Sequence, residues 1–140
     1  MKQLAHICIH TGQPKEMLDF YCNGLDLPVK FSMKNDADEE FGWYVALGNL
    51  TFIEIFDTVK AAEKWGGKPA DLTRTGRMQH ICIQVEDIAA EKERLAARGV
   101  EIARIKTGMD GSLQGWIKDP DGNAIELMQY TENSRQLCGE

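Results

Sequence analysis

Two histidines and two glutamates stand at matched points of this 140-residue chain. His6 and His80 each open the word His-Ile-Cys-Ile, and Glu54 and Glu126 follow them at intervals of 48 and 46 residues. Side chains alternate between the two faces of a strand. His6, Cys8 and His10 therefore share one face of a strand whose other face carries Ile7 and Ile9, and His80, Cys82 and Gln84 oppose Ile81 and Ile83 in the second copy. Glu54 falls between Phe52 and Phe56, against Ile53 and Ile55; Glu126 falls between Ala124 and Met128, against Ile125 and Leu127. The aliphatic faces serve as packing surfaces for helices, each buried Ile or Leu contributing ~1.5–3 kcal/mol. The mixed faces pose a problem, because carboxylates buried without partners are costly and two together repel. A divalent cation removes the conflict. Two neutral imidazoles and two carboxylates give N₂O₂ ligation without net charge, which suits zinc, nickel, cobalt, manganese or iron and leaves room for water or substrate.

Taken singly, a histidine in an apolar strand is more often a hydrogen-bonded core residue than a ligand, and a strand glutamate is more often solvated. Four such residues at matching phase in two copies of one pattern reverse that balance in favour of a metal site. Cys8 and Cys82 read as small inward-facing fillers rather than ligands. His10 also points inward, where it either lines the substrate cavity or closes the strand as a surface residue. Phe52, Phe56 and Met128 either shape that pocket or pack the core.

The elements that must position these residues repeat as well. After each His-Ile-Cys-Ile comes a helical pattern ended by a glycine, Pro14 to Asn23 before Gly24 and Asp87 to Arg98 before Gly99. An extended segment follows each glycine, "LDLPVKFS" and then "VEIARIKT", and after it two strand-like runs joined by a turn. In the first half these are "FGWYVAL" and "TFIEIF" about Gly48-Asn49; in the second they are "SLQGWIK" and "AIELMQY" about "DPDGN", whose Pro120 and Gly122 suit a type I turn. Each half reads strand, helix, strand, strand, strand. The expected organisation is a single domain over 1–140, with one module over about 1–57, a connector over about 58–77 broken by Gly66, Gly67 and Pro69, a second module over about 78–132, and a tail over 133–140. "KNDADEE" reads as an exposed acidic loop.

Composition narrows the function. The hydrophobic share of 43% and charged share of 27% are those of a globular protein that buries one core. No window approaches the ~18 apolar residues of a membrane span, and the N-terminus lacks the apolar run of a signal peptide, so the expected location is cytoplasmic. A net charge of −6 with scattered basic residues argues against nucleic acid. Four cysteines without CxxC spacing read as reduced side chains.

"HICI" with His6, "FIEIF" with Glu54, "HICI" with His80 and "DPDGNAIEL" with Glu126 together resemble the vicinal oxygen chelate superfamily, which contains glyoxalase I, over nearly the whole chain. The resemblance implies an α+β fold in which two βαβββ modules pair into a curved, cup-shaped mixed sheet around a divalent metal, nickel or zinc foremost. It implies His6, Glu54, His80 and Glu126 as ligands, Glu126 as the general base, Glu54 as a second catalytic carboxylate, and a homodimer acting on a small-molecule substrate. Its four-ligand set is similar to that of glyoxalase I, whereas ring-cleaving dioxygenases and fosfomycin-modifying relatives use two histidines and one glutamate. His10 stands where glyoxalase I tends to place a glutathione-binding arginine, which leaves the thiol open. The expected activity is a metal-dependent lyase or isomerase moving a proton on an α-hydroxycarbonyl, hemithioacetal-like compound. The alternative is an epimerase or isomerase of a small keto-acid, acyl-CoA or keto-sugar. A ring-cleaving dioxygenase and a non-enzymatic antibiotic-binding protein rank below both.

Overall fold

In the computed structural model, residues 4–73 and 78–138 are described. Strand β1 (His6–Thr11) leads into helix α1 (Pro14–Leu18), then β2 (Val29–Lys34), β3 (Glu40–Gly48), β4 (Thr51–Asp57) and α2 (Thr58–Trp65). The second half runs β5 (Ile81–Gln84), α3 (Ile88–Ala96), β6 (Lys106–Thr107), β7 (Leu113–Lys118), β8 (Ala124–Gln129) and a short α4 (Arg135–Cys138). The chain divides into two compact units, Met1–Gly76 and Arg77–Glu140. Each holds one four-stranded mixed sheet, in the order β1-β4-β3-β2 in the first and β5-β8-β7-β6 in the second. In both, the edge strand that carries the histidine lies parallel to the strand that carries the glutamate, and that strand is antiparallel to its hairpin partner. A parallel pair needs a crossover of a dozen or more residues, and the helix with the two intervening strands supplies it.

The aliphatic faces are the buried ones. Ile53, Ile55 and Ile125 are fully buried and Leu127 nearly so. Over the first sheet, α1 contributes Met17 and the turns that follow contribute Tyr21, both fully buried. Over the second, α3 contributes Ile88 and Leu95. Asp87 caps α3 by accepting from the amides of Ala89 and Ala90 at 2.9 and 3.0 Å, and Asp57 caps α2 in the same way through Val59 and Lys60. Gly99 ends the second helical segment with φ at +81°, the left-handed conformation that helix termini commonly take.

The structure departs from the sequence reading in three places. The first helix does not run evenly to Asn23: after Leu18 it widens into a π-helical turn over Asp19–Gly24, where the Asn23 amide donates to the Asp19 carboxylate. The strand expected in "VEIARIKT" shrinks to Lys106–Thr107, because Ile102 turns into the core and leaves the segment before it unpaired. The first hairpin turns on Asn49 and Leu50, whose φ of +46° and +59° are those of a two-residue type I′ turn closed by the Gly48–Thr51 pair. The loop of "KNDADEE" is exposed and clasped by lysines: Lys34 pairs with Asp38 at 3.0 Å, Lys60 with Glu39 at 3.3 Å, and Lys64 of α2 with Asp36.

Candidate functional site

Glu54 and Glu126 occupy inner strands, so each is flanked by side chains from both neighbouring strands. In the first unit Cys8 stands opposite Glu54 on β1 and Tyr44 stands opposite it on β3. In the second, Cys82 and Trp116 take the same two positions around Glu126. The histidines lie one step further along the edge strands and reach the glutamates diagonally. His6 Nε2 is 3.7 Å from Glu54 Oε2, and His80 Nε2 is 3.2 Å from Glu126 Oε2. The carboxylates are buried to the same degree, 8% and 6% exposed, while both imidazoles are largely open, with 44% and 37% of the side chain exposed. A buried carboxylate oxygen beside an accessible imidazole nitrogen, atoms of the kind that metal ions take, stands once in each unit. Among the described residues no three His, Cys, Asp or Glu side chains come together in a group that could hold a metal ion.

The surroundings of the two pairs fit a divalent cation. Oε1 of Glu126 is buried and accepts no hydrogen bond among the described residues. Such an oxygen ordinarily costs ~1–3 kcal/mol, which a bound metal would offset. Glu54 is better supplied. The Tyr44 phenol, opposite it on β3, is pushed up to about 12, first by hydrogen bonding to the Glu54 carboxylate and then by burial and the carboxylate's charge. Burial raises the Cys8 thiol to about 12, with further contributions from a hydrogen bond to Glu54 and from its charge. The Cys82 thiol rises to about 11 through burial, then the charges of Glu126 and Asp110 and a hydrogen bond to Glu126. Both cysteines are exposed as residues although their thiols are partly shielded by the sheet. They are donors to the glutamates and not the packed fillers expected from the sequence. Cys22 is also a free thiol, and the side chain of Cys138 lies outside the described residues.

The remaining sequence candidates separate. Phe52 is half-buried with its ring 5.8 Å from that of Tyr44, close to the first pair. His10 shares the face of His6 and Cys8; its ring lies 5.6 Å from Phe56, and its Nδ1 is buried without a hydrogen-bond partner among the described residues. Phe56 is itself buried, under Phe41, Ala61 and the ring of Trp65 at 4.9 Å. Gly42 makes room for it, since a Cβ there would fall 2.2 Å from Phe56 Cε1. Met128 is buried near Gln136, whose side-chain amide lies 4.0 Å from the sulfur. In the first unit α2, which follows the glutamate strand, therefore covers the Phe56 end of the mixed face, while both imidazoles remain open.

Tyr44 and Trp116 were not among the sequence candidates. They are 72 positions apart, the interval that separates Glu54 from Glu126, and that match was the available signal. The Tyr44 ring lies edge-on to His6 at 5.7 Å and the Trp116 ring edge-on to His80 at 4.9 Å. A separate open cavity of about 490 Å³ lies between α1 and strands β2 and β3, lined by Leu18, Cys22, Val29 and Trp43 among others; neither His6 nor Glu54 borders it. No helix among the described residues is long and apolar enough to cross a membrane.

The family model of the Glyoxalase/Bleomycin resistance protein/Dioxygenase superfamily matches residues 3–127. A lactoylglutathione lyase of Salmonella typhimurium is 23% identical over 137 residues, which are 96% of this chain and 98% of that protein. Among solved structures, TnmS3, an antibiotic binding protein from Streptomyces sp. CB03234, superposes with a TM-score of 0.71 at 20% identity, covering 94% of this chain and 98% of its own. A lactoylglutathione lyase from Agrobacterium tumefaciens does so with a TM-score of 0.66 at 16% identity, covering 92% and 94%. The structural likenesses, at these identities, establish the fold.

Proposed function

The chain belongs to the Glyoxalase/Bleomycin resistance protein/Dioxygenase superfamily, and from that premise we propose that it is a metal-dependent lyase or isomerase of the glyoxalase I type. The observation that carries this reading is the doubled His–Glu pair, at 3.7 Å in one unit and 3.2 Å in the other, with a buried and unpartnered Oε1 on Glu126. A fold shared with an antibiotic binding protein leaves the activity open, and the ionisable pairs support the reading as an enzyme. Taken together, His6, Glu54, His80 and Glu126 provide the ligands for one divalent metal, nickel or zinc foremost, either within a chain or between the chains of a homodimer.

A divalent metal in that set would polarise the carbonyl and hydroxyl oxygens of an α-hydroxycarbonyl substrate. The protein's own residues do the rest. His6 and His80 offer ring nitrogens at the edges of their sheets, accessible from solvent. Glu126 is the general base: its carboxylate takes the proton from the hydroxyl-bearing carbon and returns it to the neighbouring carbonyl carbon, while the hydroxyl proton passes to the former carbonyl oxygen, so that the substrate is isomerised without net gain or loss of atoms. Glu54 remains the second carboxylate ligand. The Tyr44 and Trp116 rings lie edge-on to the two histidines and restrict how each imidazole can turn.

The name of the Salmonella relative supplies the first substrate to test, the hemithioacetal of methylglyoxal with glutathione. A second reading is isomerisation of a small keto-acid, acyl thioester or keto-sugar by the same proton shuttle, for which His10 stands where glyoxalase I tends to place a glutathione-binding arginine. Protein reconstituted with nickel or zinc is assayed on the hemithioacetal and on a panel of 2-ketoses and acyl-CoA compounds. Turnover of the hemithioacetal supports the first reading. Bound metal with turnover only in the panel supports the second, and no bound metal under either reconstitution contradicts both.

A further inference from the structure

The two units cover the aliphatic faces of their sheets differently. Trp43 on β3 stands opposite Ile55, while its neighbour Tyr44 stands opposite Glu54, so the Trp43 indole lies on the far side of the first sheet from the ionisable pair. Gly115 holds the equivalent place in the second unit, opposite Leu127. There the space above the backbone is filled: a Cβ on Gly115 would fall 2.7 Å from Ile102 Cγ2 and 3.3 Å from Ile88 Cδ1. In the first unit the cover is the five-residue helix α1, which passes into the π-helical turn of Asp19–Gly24. Between this cover and strands β2 and β3 remains the open cavity of about 490 Å³. Single π-helical turns are frequent at functional sites, and small-molecule pockets occupy ~300–1,000 Å³.

The lining has a definite chemistry. The Trp43 indole, 9% exposed, and the half-buried Leu18 supply apolar surface. Two carboxylates border it, Asp19 from the helical side and Glu40 from β3, and both are held in place. Glu40 accepts from the Ser32 hydroxyl at 2.6 Å and from Trp43 Nε1 at 3.4 Å, and Asp19 accepts from the Asn23 side-chain amide at 2.6 Å. The bond from Ser32, then that from Trp43, keeps Glu40 below the ordinary carboxylate range, so it is ionised at neutral pH. Among the described residues Lys15 is the only cation in the lining, against these two carboxylates. An aromatic ring with an excess of carboxylates beside it attracts an organic cation, and the apolar surface takes the cation's hydrocarbon body. We propose that this cavity is a second ligand site, for a small aromatic ammonium compound whose ring packs against Trp43 and whose ammonium group is drawn to Glu40 and Asp19. The site is separate from the His–Glu pairs and does not depend on whether they hold a metal.

The test uses the full chain, metal-free and isotope-labelled for NMR, with phenethylammonium chloride as the probe and phenethyl alcohol and hydrocinnamate as its neutral and anionic counterparts. The chain holds three tryptophans. Trp65→Phe and Trp116→Phe assign two of the indole N–H resonances and leave the third to Trp43. The expected result is a saturable shift of the Trp43 resonance with the ammonium probe, which binds about 10-fold more tightly than the alcohol, the size of one cation–π contact supported by charge; hydrocinnamate binds more weakly than either. In the double variant Glu40→Gln, Asp19→Asn, which alters two exposed side chains and keeps their shapes, the preference for the ammonium probe disappears. Dispersion of the amide spectrum shows that each variant is folded. No saturable shift at Trp43, equal affinity for the ammonium probe and the alcohol, or a preference that survives in the double variant would each overturn the inference, and none of these results bears on the metal reading.

Discussion

Replacing Glu126 with leucine should stabilise the metal-free protein and abolish its stabilisation by metal. The carboxylate is 6% exposed, lies between Cys82 and Trp116 in register, and keeps one buried oxygen without a partner. An unsatisfied buried polar atom costs ~1–3 kcal/mol, and a leucine fills a similar volume against neighbours that suit it. Unfolding entropy scales at ~2.1 cal/mol/K per residue, which for 140 residues gives ~0.3 kcal/mol per degree, so the metal-free variant should melt ~3–10 °C above the parent. A metal at a free concentration of 100 times its Kd contributes ~2.7 kcal/mol, or ~9 °C, to whichever protein binds it. The parent should therefore rise by about that amount on addition of nickel or zinc and the variant should not move. Scanning calorimetry with chelator and with metal gives all four melting temperatures. A variant that melts below the parent in chelator, or that gains as much as the parent from metal, would refute the reasoning.

Other substitutions probe separate parts of the account. Glu126→Gln keeps an oxygen donor at the same place, so it should retain most of the bound metal and lose ~100-fold or more in turnover on a reconstituted substrate assay, the usual size of a general-base contribution. Leu50→Gly should stabilise the protein by ~1 kcal/mol in urea titration, because Leu50 sits 81% exposed at φ +59° and gains little from its side chain, while an L-residue pays ~1–2 kcal/mol in that region. Gly42→Ala should cost ~1–3 kcal/mol in the same titration, since its Cβ would enter the ring of buried Phe56 at 2.2 Å.

Much of the plan was legible in the sequence because the chain states it twice. The phase of Ile53, Ile55, Ile125 and Leu127 placed Glu54 and Glu126 on the opposite faces, and a two-residue period leaves no freedom about which side chains share a face. The fold class of two strand-rich units followed from the order of the elements, and the likeness to solved glyoxalase-family structures agrees with it. The diagonal offset between each histidine and its glutamate was not legible, because register between parallel strands depends on the crossover and not on the strands' own pattern. Tyr44 and Trp116 were missed for a chemical reason: the two differ in identity, and a search for repeated letters passes over a pair whose positions repeat while their side chains diverge. Phe56 read as core more readily than as pocket, and the contact that buries it comes from Trp65, on a helix in the segment taken as a connector. The clasp of Lys34, Lys60 and Lys64 on the acidic loop joins residues whose pairing no local pattern announces.

The central claim is that His6, Glu54, His80 and Glu126 hold one divalent metal. It is tested most directly by mass-spectrometric metal content of untagged protein, reconstituted with nickel or zinc and freed of loosely bound ions, for the parent and for Glu54→Gln. The account predicts about one ion for each set of two histidines and two glutamates in the parent, with a clear reduction in the variant under the same washing. A parent that retains no metal, or a variant that retains it as firmly as the parent, would contradict the claim.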